Sequence, residues 1–163
     1  MRYRNLIVMV GASVVIAACG DVPAASRDAA LIEQFEHDRT GFTSAVTVMT
    51  AEPRIQRLDL RSNGTAATDP ADAAPDRTAK LTEFMRAHDI RSIGSSPDGS
   101  VSFQMFTSGI VTSGQLKALD FLTTEPDGPV VADTDAEIAK SSDKWRVVYR
   151  RVDDGWYIRN SCC

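Results

Sequence analysis

The sequence predicts an α+β domain in which two N-terminal helices pack on one face of an antiparallel sheet of about five strands. Three observations carry that prediction. Apolar residues recur at helical spacing from Leu31 to Met49 and again from Leu81 to Met85, and from Ile90 onward the period becomes two. The chain then closes on two hydrophobic runs flanking Asp153-Asp154-Gly155, a hairpin signature. Helices followed by strands is an α+β order, with the helices gathered on one side of the sheet.

Met1 to Asn5 carries Arg2 and Arg4 and no acid, and Leu6 to Ala18 runs apolar with only Gly11 and Ser13 interrupting. A spanning helix needs about 20 apolar residues, and this run turns polar at Gly20-Asp21. The layout is that of a cleaved secretory leader. Its end, Ile16-Ala17-Ala18-Cys19, resembles the bacterial lipobox, where small residues precede a cysteine that is acylated and becomes the new N-terminus. The resemblance implies a signal peptide over 1–18, lipidation of Cys19, a lipidated tether over 19–26 and one α+β domain over 27–163. Several acyl chains, at about 0.8 kcal/mol per methylene, hold a protein stably on a membrane where one chain does not. Lipoproteins kept at the inner membrane often have Asp directly after the cysteine; Gly20 stands there, which points to the outer membrane, facing the periplasm, in a Gram-negative cell.

Loss of residues 1–18 leaves 16 basic residues against 22 acidic ones, a net charge of −6. Attraction to nucleic acid is therefore not expected from net charge. The remaining length suits one domain able to bury a core without disulfide staples. Cys162 and Cys163 are adjacent; neighbouring Cα atoms sit about 3.8 Å apart, short of the roughly 4.4–6.8 Å a disulfide prefers. They read as a frayed chain end, with an intermolecular disulfide as the alternative in an oxidising compartment.

Ser26 is placed to cap a helix whose stripe is Leu31, Phe35, Phe42, Val46 and Met49. One long helix fits that stripe; a helix to Arg39 followed by a strand from Phe42 to Met49 is the alternative raised by Gly41. Pro53 ends either version. Arg54 to Leu60 reads as strand or helical turn, and 62–77 as a disordered loop, being Ala/Asp/Pro/Thr/Gly-rich without periodicity. Asp76 or Thr78 caps the next helix, which aligns Leu81, Phe84, Met85 and His88. Strands follow at Ile90 to Ser95, around Val101, Phe103 and Met105, and at Gln115 to Thr123, with a turn at Pro97-Asp98-Gly99 and a break at Glu125 to Pro129. In the closing hairpin, Lys144 to Val152 and Trp156 to Asn160, a two-residue loop pairs Val152 with Tyr157. That register points Trp145, Val147, Tyr149, Trp156 and Ile158 at the helices. It leaves Arg146, Arg150 and Arg159 around Val148 and Tyr157 on the opposite face, so Arg146, Arg150, Tyr157 and Arg159 form the candidate interaction face, Arg being suited to planar bidentate contacts.

No catalytic constellation stands out. Ser141-Ser142-Asp143-Lys144 has the Ser-x-x-Lys spelling of acyl-transfer enzymes without their companion motifs. Gly109 to Gly114 has phosphate-loop spacing, yet Gln115-Leu116 replaces the Lys and hydroxyl residue that touch phosphate and magnesium. Asp133-Thr134-Asp135-Ala136-Glu137 lacks the glycine and distant Glu of a calcium loop and reads as a solvated acidic loop. His37 falls on a polar helix face, and His88 near a helix C-terminus, where a capping role is natural. No metal or cofactor is implied.

Leu31-Ile32-Glu33-Gln34-Phe35, Asp98 to Phe103, Gly109-Ile110-Val111, Lys117-Ala118-Leu119 and Gly155-Trp156-Tyr157 together resemble a group of small exported bacterial lipoproteins of unknown function. In that group the lysine segment often reads Lys-Gly-Tyr, where Ala118 and Leu119 stand here. The expectation is a non-enzymatic envelope protein, held to the membrane by its lipid and binding an envelope protein or cell-wall component. The alternatives are an immunity-like inhibitor of an exported toxin and a small periplasmic hydrolase using carboxylates or His88.

Overall fold

A computed structural model describes residues 23–51, 54–110, 113–140 and 146–162. The leader, Cys19, Pro53, the Ser141 to Lys144 spelling, Trp145 and Cys163 lie outside the described residues. After a short 3₁₀ turn at Ala24–Ser26, the elements run α1 Asp28–His37, α2 Arg39–Thr50, β1 Arg57–Leu60, β2 Ala66–Asp69, α3 Pro75–Ala87, β3 Ser92–Ser95, β4 Val101–Ile110, β5 Ser113–Phe121, α4 Thr134–Ala139, β6 Arg146–Asp153 and β7 Trp156–Cys162. All seven strands join one antiparallel sheet in the order β2-β1-β3-β4-β5-β7-β6. Among the described residues the fold is thus mixed helix and antiparallel sheet, with seven strands rather than about five. Its helices are not all N-terminal, because α3 falls between β2 and β3 and α4 between β5 and β6.

The helical stripe is buried as its period demands: Leu31, Phe35, Phe42 and Met49 lie in the core, and Val46 packs against it. The single long helix, however, is two, and neither half is a strand. The break is Asp38, whose backbone leaves helical geometry while its carboxylate accepts the Gly41 amide at 3.0 Å, giving α2 an N-cap. Gly41 is required there, since a Cβ would fall 2.2 Å from Asp38 Oδ2.

The expected loop at 62–77 is instead β2 and the start of α3. A turn at Asn63-Gly64 makes β1 and β2 a hairpin: Gly64 takes φ +78°, Arg61 N donates to Thr65 O at 2.9 Å, and Asn63 Oδ1 accepts from the Thr65 amide. Asn-Gly is among the strongest short-range hairpin signals, and here it outweighs the loop-like composition around it. Cys162 is likewise not part of a frayed end. Cys162 pairs in β7, is buried against Ile138 and Val148, and is disulfide-bonded, its partner lying outside the described residues.

Alternation along β7 puts Trp156, Ile158, Asn160 and Cys162 on the face that the helices cover. Trp156 and Ile158 join the main core, and Cys162 meets Ile138 of α4. Phe42 centres the aromatic packing, with Phe35, Phe84 and Phe103 ring centroids at 5.8, 5.1 and 5.4 Å. On the outer face, the segment after β5 folds back over Tyr149 and Tyr157. Tyr157 donates to Glu125, while Pro129 and Val131 hydrogen-bond the Tyr149 backbone and so cover part of the β6 edge.

The register of the last hairpin differs from expectation. Arg151 pairs with Tyr157 and Asp153 with Trp156, so Val152 is an extra residue. A bulge of one residue reverses the facing of everything before it. Arg146, Val148 and Arg150 therefore turn toward the helices, and Val147, Tyr149 and Arg151 face outward.

In a continuous exposed helix, Gly to Ala gains about 1 kcal/mol. Here Gly41→Ala displaces the Asp38 cap and should lower unfolding stability by about 1–2 kcal/mol, read from urea melts. A gain in stability would contradict the break at Asp38.

Candidate functional site

Period two from Leu119 carries the inner face of β5 to Lys117 and Gln115, polar residues placed where the apolar core gives way to the starts of α1 and α4. Lys117 is 0% exposed. Its Nζ lies 2.7 Å from Asp28 Oδ1 and also pairs with Asp135 Oδ1. Asp28, the first residue of α1, accepts the Thr134 amide at 2.8 Å and the Thr134 hydroxyl at 2.6 Å, and the Asp28 amide donates to Asp135 Oδ2 at 3.0 Å. Asn160, the cross-strand neighbour of Lys117, donates to Asp135 Oδ1 at 3.2 Å and accepts from Gln115 at 3.0 Å. Arg150 Nη1 stands 3.5 Å from Asp28 Oδ2. Two cations thus meet two carboxylates, which is what makes burial of these charges tolerable.

Burial pushes the Asp28 carboxyl up. The hydrogen bonds from Lys117 and Thr134, together with the Lys117 charge, more than offset this, so Asp28 titrates below the ordinary aspartate range. Asp28, Asp133 and Asp135 each bring a carboxylate oxygen within 4.8 Å of the others. The Lys117 ammonium already holds two of them, and Asp133 caps α4 by accepting the Ala136 amide at 2.9 Å. The expected solvated acidic loop is therefore a capped helix start that closes over a lysine.

On the outer face, Arg159 Nε lies 2.8 Å from Asp120 Oδ2, and Arg159 donates to Ser102 Oγ at 3.0 Å. Burial raises the Asp120 pKa against the opposing Arg159 charge and the hydrogen bonds from Ser102 and Arg159. A third cluster ties three helices together. His88 Nε2 lies 2.9 Å from Asp38 Oδ2, and Gln34 Nε2 donates to the His88 carbonyl at 2.8 Å and lies 3.3 Å from Nδ1. With Nε2–H donating to Asp38 and Nδ1 accepting from Gln34, both ring nitrogens are engaged. His88 ends α3, and Asp89 beyond it adopts φ +51° as Ile90 N bonds Met85 O at 2.8 Å, a helix-terminating motif. A cavity of about 370 Å³ adjoins this point, lined by Ser26, Leu31, Gln34, His88 and Met105 among others.

No family model, curated protein or solved structure matches this chain.

The four residues of the expected interaction face divide between the two sides of the sheet, each with a partner. Arg146 pairs with Glu137 of α4 and Arg150 with Asp28, both on the helix side; Arg159 pairs with Asp120 and Tyr157 with Glu125 on the outer side. Cys19 lies outside the described residues. Gly109 and Gly114 pair with each other across β4 and β5, and His37 closes α1. Sequence reasoning missed Lys117, Asp28, Asp135 and Asn160 as a unit. The available signal was a lysine in phase with Leu119 and Phe121 on an inward-facing strand side.

Removing one partner from a buried ion network leaves charges uncompensated, so Lys117→Met should cost roughly 3–5 kcal/mol in a urea melt. A loss like that of a surface lysine would contradict the enclosure. The two buried aspartates should show opposite pH signatures between about pH 3 and pH 7. Asp28, with its pKa lowered by folding, contributes stability at neutral pH that is lost in acid, so the deficit of Asp28→Asn should shrink as pH falls. Asp120, with its pKa raised, makes the folded state less stable as pH rises, so Asp120→Asn should improve relative to wild type as pH rises. Parallel trends in the two variants would overturn these assignments.

Proposed function

We propose that this chain is an exported, lipid-anchored envelope protein that acts by binding rather than by catalysis. The anchor reading rests on Arg2 and Arg4, the apolar run Leu6 to Ala18 and the small residues before Cys19. The turn at Ala24–Ser26 stands only a few residues after Cys19 in the sequence, so the domain sits close to the membrane surface and meets partners there. Among the described residues no helix is long and apolar enough to cross a membrane, which fits attachment by lipid.

The binding reading rests on one observation above others: the reactive side chains are turned toward one another. Lys117 is enclosed and His88 has both nitrogens hydrogen-bonded, so neither is offered to an external substrate. The large apolar side chains exposed among the described residues, Val130 and Val147, lie at the β6 edge, Val147 beside outward-facing Tyr149 and Arg151. An envelope protein is the partner chemistry such a mixed apolar and basic edge suits.

Metabolic labelling with palmitate should mark the wild-type protein and leave Cys19→Ser unlabelled. Full-length, unlabelled protein in the cytosol would overturn the anchor. A photo-crosslinking residue at position 147 should capture an envelope protein in intact cells, and one at enclosed position 148 should not; equal capture at both would remove the edge from the account.

A further inference from the structure

The Lys117 cluster brings a nucleophile, an electrophile and a base together. Lys117 Nζ touches Asp135 Oδ1 and lies 2.7 Å from Asp28 Oδ1, so the amine and the Asp135 carboxyl are held in direct contact, the proximity that intramolecular attack needs. Both Asp135 oxygens accept hydrogen bonds, Oδ1 from Asn160 Nδ2 and Oδ2 from the Asp28 amide. Donors so placed stabilise the negative charge that develops when a carboxyl is attacked. The two carboxyls are not equivalent. Asp28 also accepts from the Thr134 amide and hydroxyl and pairs with Arg150, whereas Asp135 has Lys117 as its cation.

We infer that Lys117 and Asp135 condense into an intramolecular amide bond, with Asp28 as the proton carrier. An amine attacks only in its neutral form, so a proton first passes from the Lys117 ammonium to Asp135. The amine lone pair then attacks Asp135 Cγ. The nitrogen gives its excess proton to the Asp28 carboxylate, and Asp28 returns that proton to the departing Asp135 hydroxyl. One C–N bond forms, one C–O bond breaks and one water leaves. No electron is transferred, and Asp28 ends as it began. The product would tie β5 covalently to α4. This inference stands apart from the lipid anchor and from the binding reading.

The sequence makes the test direct. Between Arg91 and Lys140 the one trypsin site is Lys117, and an amide on its Nζ blocks cleavage there. Protein purified from cells expressing the complete chain, denatured, reduced and digested, should yield Ser92 to Lys140 as one uncut peptide lighter than its composition by one water. In Asp28→Asn the peptides ending at Lys117 and Lys140 should appear separately at full mass, with the circular dichroism spectrum of the wild type retained. Full-mass cleavage at Lys117 in the wild type would overturn the proposal. So would a branched peptide in which Lys117 is joined to Asn160 with loss of ammonia, or to Asp28 with loss of water. Persistence of the link in Asp28→Asn would overturn the role of Asp28.

Discussion

A lysine side chain whose nitrogen has no exposure to water must have that nitrogen matched by what surrounds it, and much of this molecule is arranged around that requirement at Lys117. The first residue of α1, the first turn of α4 and the middle of β7 converge on one side chain of β5. These elements lie far apart in the chain, and apolar packing alone does not fix how they meet. Hydrophobic burial is non-directional, whereas carboxylates held by Thr134, Asn160 and a backbone amide have defined places. The aromatic core around Phe42 supplies the bulk of the burial at one end of the sheet, and the Lys117 network sets the geometry at the other.

A single extra residue in β6 links the hairpin to this network. Without the bulge at Val152, Arg150 would face away from the helices and Asp28 would lose its second cation. With it, Arg146 reaches Glu137 of α4 and Arg150 approaches Asp28. The outer face is left with Asp120 and Arg159, balanced against each other. The basic stripe visible in the sequence is therefore not a field directed at a partner; most of its charge is consumed inside the protein.

What was legible in the sequence was periodic. The stripe Leu31, Phe35, Phe42 and Met49, the α3 stripe of Leu81 and Met85, and the alternation Val101, Phe103, Met105 all reach the core. What was not legible depended on one or two residues against the local trend. Asp38 divides a continuous stripe by capping, Asn63-Gly64 turns a hairpin inside a composition typical of loops, and Val152 shifts a register that the Asp-Gly turn alone does not specify. The candidate site was hidden for a related reason. Asp28, Lys117, Asp135 and Asn160 have no common spacing, and only the β5–β7 pairing and the placement of α4 bring them together. Lys117 read as part of a short segment of a resemblance, and Asp133 to Glu137 as solvent-facing acid.

If the Lys117 network is what fixes α1 and α4 to the sheet, the amides feeding its carboxylates should open only when the whole domain opens. Hydrogen exchange measured by NMR at the Thr134 and Asp28 amides addresses this directly. The account predicts protection at both close to that of the β5 and β7 core amides. Exchange at either as fast as in the exposed turn at Asp98-Gly99 would contradict it.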